Sequence, residues 1–162
     1  MVDATLLRDR AIAALEEVTD PEIPVLTITD LGILREVTVD GDTLDVTITP
    51  TYSGCPAMNV ITLEVETALA RAGLKARIHT TLSPAWTTDW MSEAGRRKLA
   101  AYGIAPPAHT SSRRALFGEA RPACPRCGSE DTEEISEFGS TACKSLHRCR
   151  ACREPFDAFK CH

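Results

Sequence analysis

The sequence predicts an α+β protein in two parts: a small mixed domain over 1–104 and a compact β module over 123–162. Three observations carry this. Helix-period and strand-period hydrophobic segments alternate over the first hundred residues. Residues 105–122 hold Pro106, Pro107, Ser111, Ser112 and Pro122, a linker composition. Four of the seven cysteines then fall as two C-x-x-C pairs after the linker.

Leu7, Ala11, Ala14, Leu15 and Val18 recur at helical spacing and predict a first helix over 5–18, capped by Asp3 or Thr5 and stopped before Pro21. Asp20-Pro21-Glu22-Ile23-Pro24 reads as a stiff loop. Two strands follow, 33–39 and 43–49, joined at Asp40-Gly41 as a hairpin. In the second strand Leu44, Val46 and Ile48 face one side, and Asp45, Thr47 and Thr49 the other. Ser53-Gly54-Cys55-Pro56 leads into a second helix with the stripe Met58, Ile61, Val65, Leu69 and Ala72, ended by Gly73. A third strand over 76–82 and a helix over 89–102, ended by Gly103, complete the domain. The order is helix, two-strand hairpin, helix, strand, helix.

Composition narrows the function classes. The formal charge is -5, with -6 over residues 1–105 and +1 over 106–162. Neither part has a basic stripe, so nucleic acid is not an expected partner. The start MVDATLLRDR lacks a secretory apolar run, and no apolar stretch is long enough to span a bilayer. A cytoplasmic setting without membrane contact is expected, where thiols stay reduced and clustered cysteines mean metal or chemistry more often than disulfides. No Ser/His/Asp constellation or phosphate-cradling glycine loop appears.

Cys124-Pro-Arg-Cys127-Gly128 and Cys149-Arg-Ala-Cys152 are separated by 21 residues. Segments 132–138 and 142–148, with a Gly139-Ser140 turn, form a hairpin that returns the second pair to the first. This is the zinc-ribbon pattern: four thiolates for one tetrahedral ion, expected to be structural zinc, with iron as a variant that spacing does not separate. The metal should supply most of the module's folding energy. Cys143 and Cys161 are left over. Either they pack as small apolar residues, or they form a second thiol pair that handles iron or a cluster. His147 and His162 read as surface side chains.

Cys55, just before Pro56, is expected at a helix N-cap, where unpaired amides and the helix dipole favour thiolate. It is a candidate ligand or nucleophile, with a buried structural cysteine as the alternative. Asp20 and Glu22 could bring two carboxylates near it, although Asp20 is first expected to form its own turn. Trp86 and Trp90 are either core residues or a partner contact.

Together, Asp20-Pro21-Glu22-Ile23-Pro24, Asp30-Leu31-Gly32-Ile33 and Thr47-Ile48-Thr49-Pro50 followed by Ser53-Gly54-Cys55-Pro56 resemble the MIP18-type (DUF59) family. The resemblance implies a small α+β fold and a role in iron–sulfur cluster assembly or delivery. It also implies that Cys55 is the reactive residue, reached from Thr47 and Thr49. The run Ser83-Pro84-Ala85-Trp86-Thr87-Thr88-Asp89-Trp90-Met91, with Phe138-Gly139-Ser140-Thr141-Ala142-Cys143-Lys144, Glu154-Pro155-Phe156-Asp157 and Phe159-Lys160-Cys161, resembles the PaaD subgroup. That subgroup accompanies the multicomponent phenylacetyl-CoA epoxidase of phenylacetate catabolism. The resemblance implies that Cys143 and Cys161 belong to its pattern. It also implies partners in the epoxidase system, above all the ferredoxin-type reductase, and a transient iron–sulfur cluster besides zinc. The chain lacks the Glu-x-x-His helices of a di-iron site, so it is expected to assist the oxidation rather than perform it. A non-catalytic structural subunit is the competing expectation. A twofold dimer that pairs two Cys55 residues would create a shared cluster site.

Overall fold

The structure is a computed structural model that describes residues 3–118 and 120–160. Cys161 and His162, two of the residues singled out above, lie outside the described residues. The chain divides into two compact units at Trp86/Thr87. This differs from the boundary at 104 read from the linker composition.

In the first unit, α1 (Ala4–Leu15) is capped by Asp3, whose Oδ1 accepts the Thr5 N–H at 2.9 Å. Leu7, Ala11 and Leu15 are its buried face. A four-residue helix, α2 (Ile28–Leu31), follows. Thr27 and Asp30 close a reciprocal capping box and Gly32 ends it at φ 73°. Hydrophobic patterning does not signal this element, because one turn is too short to show a period. Strands β1 (Leu34–Asp40) and β2 (Thr43–Ile48) form the expected antiparallel hairpin. α3 (Met58–Arg71) buries Ile61, Val65 and Leu69 and returns the chain to β3 (Lys75–Thr80), parallel to β2. β2 is therefore central, and Leu44, Val46 and Ile48 are at most 1% exposed. The opposite sheet face is polar: Arg77 binds Asp45 and Asp40, and His79 binds Asp45. Arg77, first, and His79 hold the Asp45 carboxyl down at about 2.

The second unit opens with a 3-10 turn over Thr88–Trp90, then α4 (Glu93–Tyr102), capped by Ser92. The single helix expected over 89–102 is broken because Met91 is extended at ψ 132°. The expected linker is not featureless. Its start, β4 (Ile104–Ala105), pairs with β7 (Pro155–Phe159), and α5 (Arg113–Leu116) forms one more turn. Buried Arg96 donates to the carbonyls of Pro107 and Thr88 and so holds this strap against α4. With β5 (Thr132–Ser136) and β6 (Lys144–Cys149), the sheet order is β4-β7-β6-β5.

Trp86 closes the first unit. It is 4% exposed, and its Nε1–H donates to the Leu31 carbonyl at 2.7 Å. As a core residue it presents no surface for the partner contact raised above. Trp86→Phe keeps a buried ring and orphans that carbonyl. It should lower stability by about 1–3 kcal/mol in urea unfolding; a variant as stable as the parent would show the bond to be idle.

Candidate metal centre and cysteine loop

In the second unit, the two knuckles sit at the ends of the ribbon strands. In the first, the Gly128 N–H donates to the Cys124 carbonyl at 2.8 Å and Gly128 adopts φ 76°. In the second, the Cys149 N–H donates to the Glu154 carbonyl at 3.0 Å, and Arg153 takes the left-handed conformation at φ 65°. A side chain there costs about 1–2 kcal/mol relative to right-handed backbone, so the closed knuckle must impose it.

The Sγ atoms of Cys124, Cys127, Cys149 and Cys152 all lie within 4.8 Å of one another. Cys124–Cys152 is 3.7 Å and Cys127–Cys149 is 3.5 Å. Sulfurs about 2.3 Å from a tetrahedral ion stand roughly 3.8 Å apart, so the set fits one metal. These separations are far too long for disulfides among the four. Electrostatics agree with the geometry. The Cys152 amide, first, holds the Cys149 thiol down at about 7. The Glu154 amide favours a Cys152 thiolate, but burial and the neighbouring cysteines push that thiol up to about 12. Four thiolates this close need a cation. Ala105, Phe156 and Ala158 pack around the buried pair Cys124 and Cys149.

Cys55 belongs to the first unit. β2 ends at Ile48, and the Thr49 N–H donates to the Ile33 carbonyl at 2.9 Å, which fixes where the loop departs. Thr49 is 1% exposed and its Oγ1 is buried without a partner. Thr47 lies within β2, paired with Glu36 and His79. The Cys55 N–H donates to the Tyr52 carbonyl at 3.1 Å, and α3 begins three residues later with Ala57 at its cap. Cys55 is half-buried.

The expected lowering of the Cys55 pKa is not what the structure shows. Burial, foremost, pushes the thiol up, and the charges of Glu22 and Asp20 push the same way. The Ala57 and Met58 amides favour the thiolate, as a helix start should, but they are outweighed. Asp20 Oδ1 accepts the Glu22 and Ile23 amides at 2.7 and 2.9 Å, so this residue forms its own turn and also charges the site. Spacing alone could suggest two carboxylates near Cys55. It could not give the sign of their combined effect with burial.

The remaining candidates separate. Cys143 is 5% exposed, 3.1 Å from Thr141 Oγ1, and its carbonyl accepts the Lys160 N–H at 3.0 Å. Trp90 is half-buried in the 3-10 turn. His147, expected at the surface, is 7% exposed, stacks on Phe156 and lies 2.8 Å from Ser145 Oγ. The signal for this was alternation: Ser145, His147 and Cys149 share the inner strand face.

A mixed domain with a helix-start cysteine, followed by a four-cysteine ribbon, defines a two-part class. Residues 8–79 match the family described as iron-sulfur cluster assembly protein, and residues 108–160 match the PaaD zinc beta ribbon domain. An Escherichia coli (strain K12) protein named as a "Putative 1,2-phenylacetyl-CoA epoxidase" subunit is 53% identical over 92% of this chain and 90% of its own. The Bacillus subtilis (strain 168) Fe-S protein maturation auxiliary factor YitW is 39% identical over 57% of this chain and 93% of its own. A crystal structure of a DUF59 domain from Bacillus anthracis matches with TM-score 0.56 and 27% identity, over 59% of this chain and 93% of that one. The chain belongs to the iron–sulfur cluster assembly (DUF59) family, in the branch that carries a PaaD zinc beta ribbon. Among the described residues no helix is long and apolar enough to cross a membrane.

Glu22→Gln removes one negative charge beside Cys55. The thiol pKa should fall, and alkylation by iodoacetamide at fixed neutral pH should become faster, measured by mass spectrometry at Cys55. An unchanged rate would mean that Glu22 does not act on the sulfur.

Proposed function

We propose that this protein is an accessory factor that loads or maintains an iron–sulfur or iron centre in a phenylacetyl-CoA epoxidase system, with Cys55 as a transient ligand for the cargo. The observation that carries this is the half-buried Cys55 thiol between helix-start amides and two carboxylates. Its raised pKa makes it a poor nucleophile at neutral pH. The same surroundings suit a cationic cargo. Iron displaces the thiol proton as the Fe–S bond forms, and Asp20 and Glu22 offset the positive charge. On transfer, a recipient thiolate replaces Cys55 at the iron and Cys55 recovers a proton. No electron moves. A sulfur that reprotonates readily releases its cargo readily.

The relatives support the same reading: one is named as an Fe-S protein maturation auxiliary factor, the other as an epoxidase subunit. The ferredoxin-type reductase of such a system is the proposed recipient. The ribbon's four sulfurs would hold zinc. Four protein ligands leave no open position, so this ion would fold the module rather than react.

The name of the Escherichia coli relative favours one second reading, a stable non-catalytic subunit. Co-expression of the epoxidase components with wild type or Cys55→Ala separates the two. The accessory reading expects the reductase to lose most of its iron and sulfide with Cys55→Ala, and the factor to be absent from the purified oxygenase. A fully loaded reductase together with stoichiometric co-elution on size exclusion would establish the subunit reading instead.

A further inference from the structure

A groove of about 750 Å³ runs between α1 and α3 in the first unit. Ala13, Ala14, Ala68 and Ala72 line it with small side chains that allow another backbone close approach. Its walls are charged in an ordered way. The Arg10 guanidinium donates to the Ala72 carbonyl at 2.6 Å, so Arg10 and Arg71 share the end where α3 finishes. Glu17 and Glu64 lie toward the other end, with Thr19, Pro21 and Val60. That second end adjoins the cysteine loop: Thr19 and Pro21 flank Asp20, and Val60 is in the first turn of α3. Both Asp20 and Glu22 act on Cys55. The groove is thus negative beside Cys55 and positive about 16 Å away, the rise of a helix from Val60 to Arg71. Val60, in this groove, and Leu63, nearly a turn further along the same helix, remain 45% and 60% exposed.

We propose that this groove docks a helical segment of a partner protein, about three turns long, basic at the end beside Cys55 and acidic at the other. Docking rests on the reading of Cys55 as the cargo site, because it explains why the groove should end there. With its N-terminus in the acidic end and its C-terminus between the two arginines, such a helix adds its dipole to the side-chain charges. Opposite polarity at the two ends fixes direction, and direction would bring one end of the partner to the cysteine loop.

The test uses two fluorescent, side-chain-stapled fourteen-residue alanine-based helices. One has lysines in the first turn and glutamates in the last; the other has glutamine at all of those positions. Wild-type protein should bind the lysine-first helix about tenfold more tightly by anisotropy, a difference within reach of a few surface ion pairs acting together. Amide shifts should appear at Ala13, Ala14 and Ala68. The double variant Glu64→Lys with Arg71→Glu, both exposed positions, should abolish the preference, because each end of the groove then carries one charge of each sign. Cys55→Ala should bind like wild type, so docking is read independently of cargo chemistry. Equal binding of both helices, shifts away from the groove, or an unchanged preference in the double variant would each overturn the proposal. So would sedimentation as a dimer that Arg71→Glu dissociates, because the occupant would then be a second copy of the chain.

Discussion

Burial of the Cys55 thiol, reinforced by the Glu22 and Asp20 carboxylates, disfavours its thiolate, and the functional account depends on this constraint. It exists because two loops from different parts of the chain meet. One loop is held by the Asp20 side chain, which accepts two successive amides of its own turn. The other leaves the central strand at Thr49, anchored to the Ile33 carbonyl. β2 cannot slip to relieve it. It pairs on both edges, and its apolar side chains are buried. A register change would turn those side chains to the polar face. The fold therefore holds a protonated thiol in a negative field, an arrangement that a proton or a cation can satisfy and a bare thiolate cannot.

The second unit meets a related constraint in a different way. Its four thiols are brought within 4.8 Å by two knuckles and a sheet that buries little apolar surface of its own. Backbone amides, Cys152 first, hold Cys149 down at about 7, while burial and the neighbouring cysteines push Cys152 up to about 12. One ion resolves all four together. In the first unit Cys55 stands apart from the four clustered sulfurs, and Asp20 and Glu22 act on it through charge. In the second, coordination closes on protein sulfur alone, which suits permanence.

Much of this was legible in the sequence, for identifiable reasons. The spacing of Cys124, Cys127, Cys149 and Cys152 constrains geometry directly, and the alternation in β2 assigns its two faces. Gly73 and Gly103 mark helix ends that the structure places at φ 70° and 93°. Other features depend on long-range packing. The break at Met91 and the pairing of Ile104–Ala105 with β7 turned an expected linker into part of the second unit. Trp86 was ambiguous until its indole was found on the Leu31 carbonyl, and His147 until its strand was buried. For Cys55, local sequence indicated the helix-start amides. The outcome was decided by desolvation, which adjacent residues do not encode.

The most direct measurement is an anaerobic titration of zinc-loaded protein with ferrous iron and sulfide, counting metals and sulfide per chain in wild type and Cys55→Ser. The account predicts one zinc retained in both proteins, with additional iron and sulfide bound by wild type and lost in the variant. Equal iron and sulfide in both, or iron that enters only by displacing zinc from the ribbon, would contradict it.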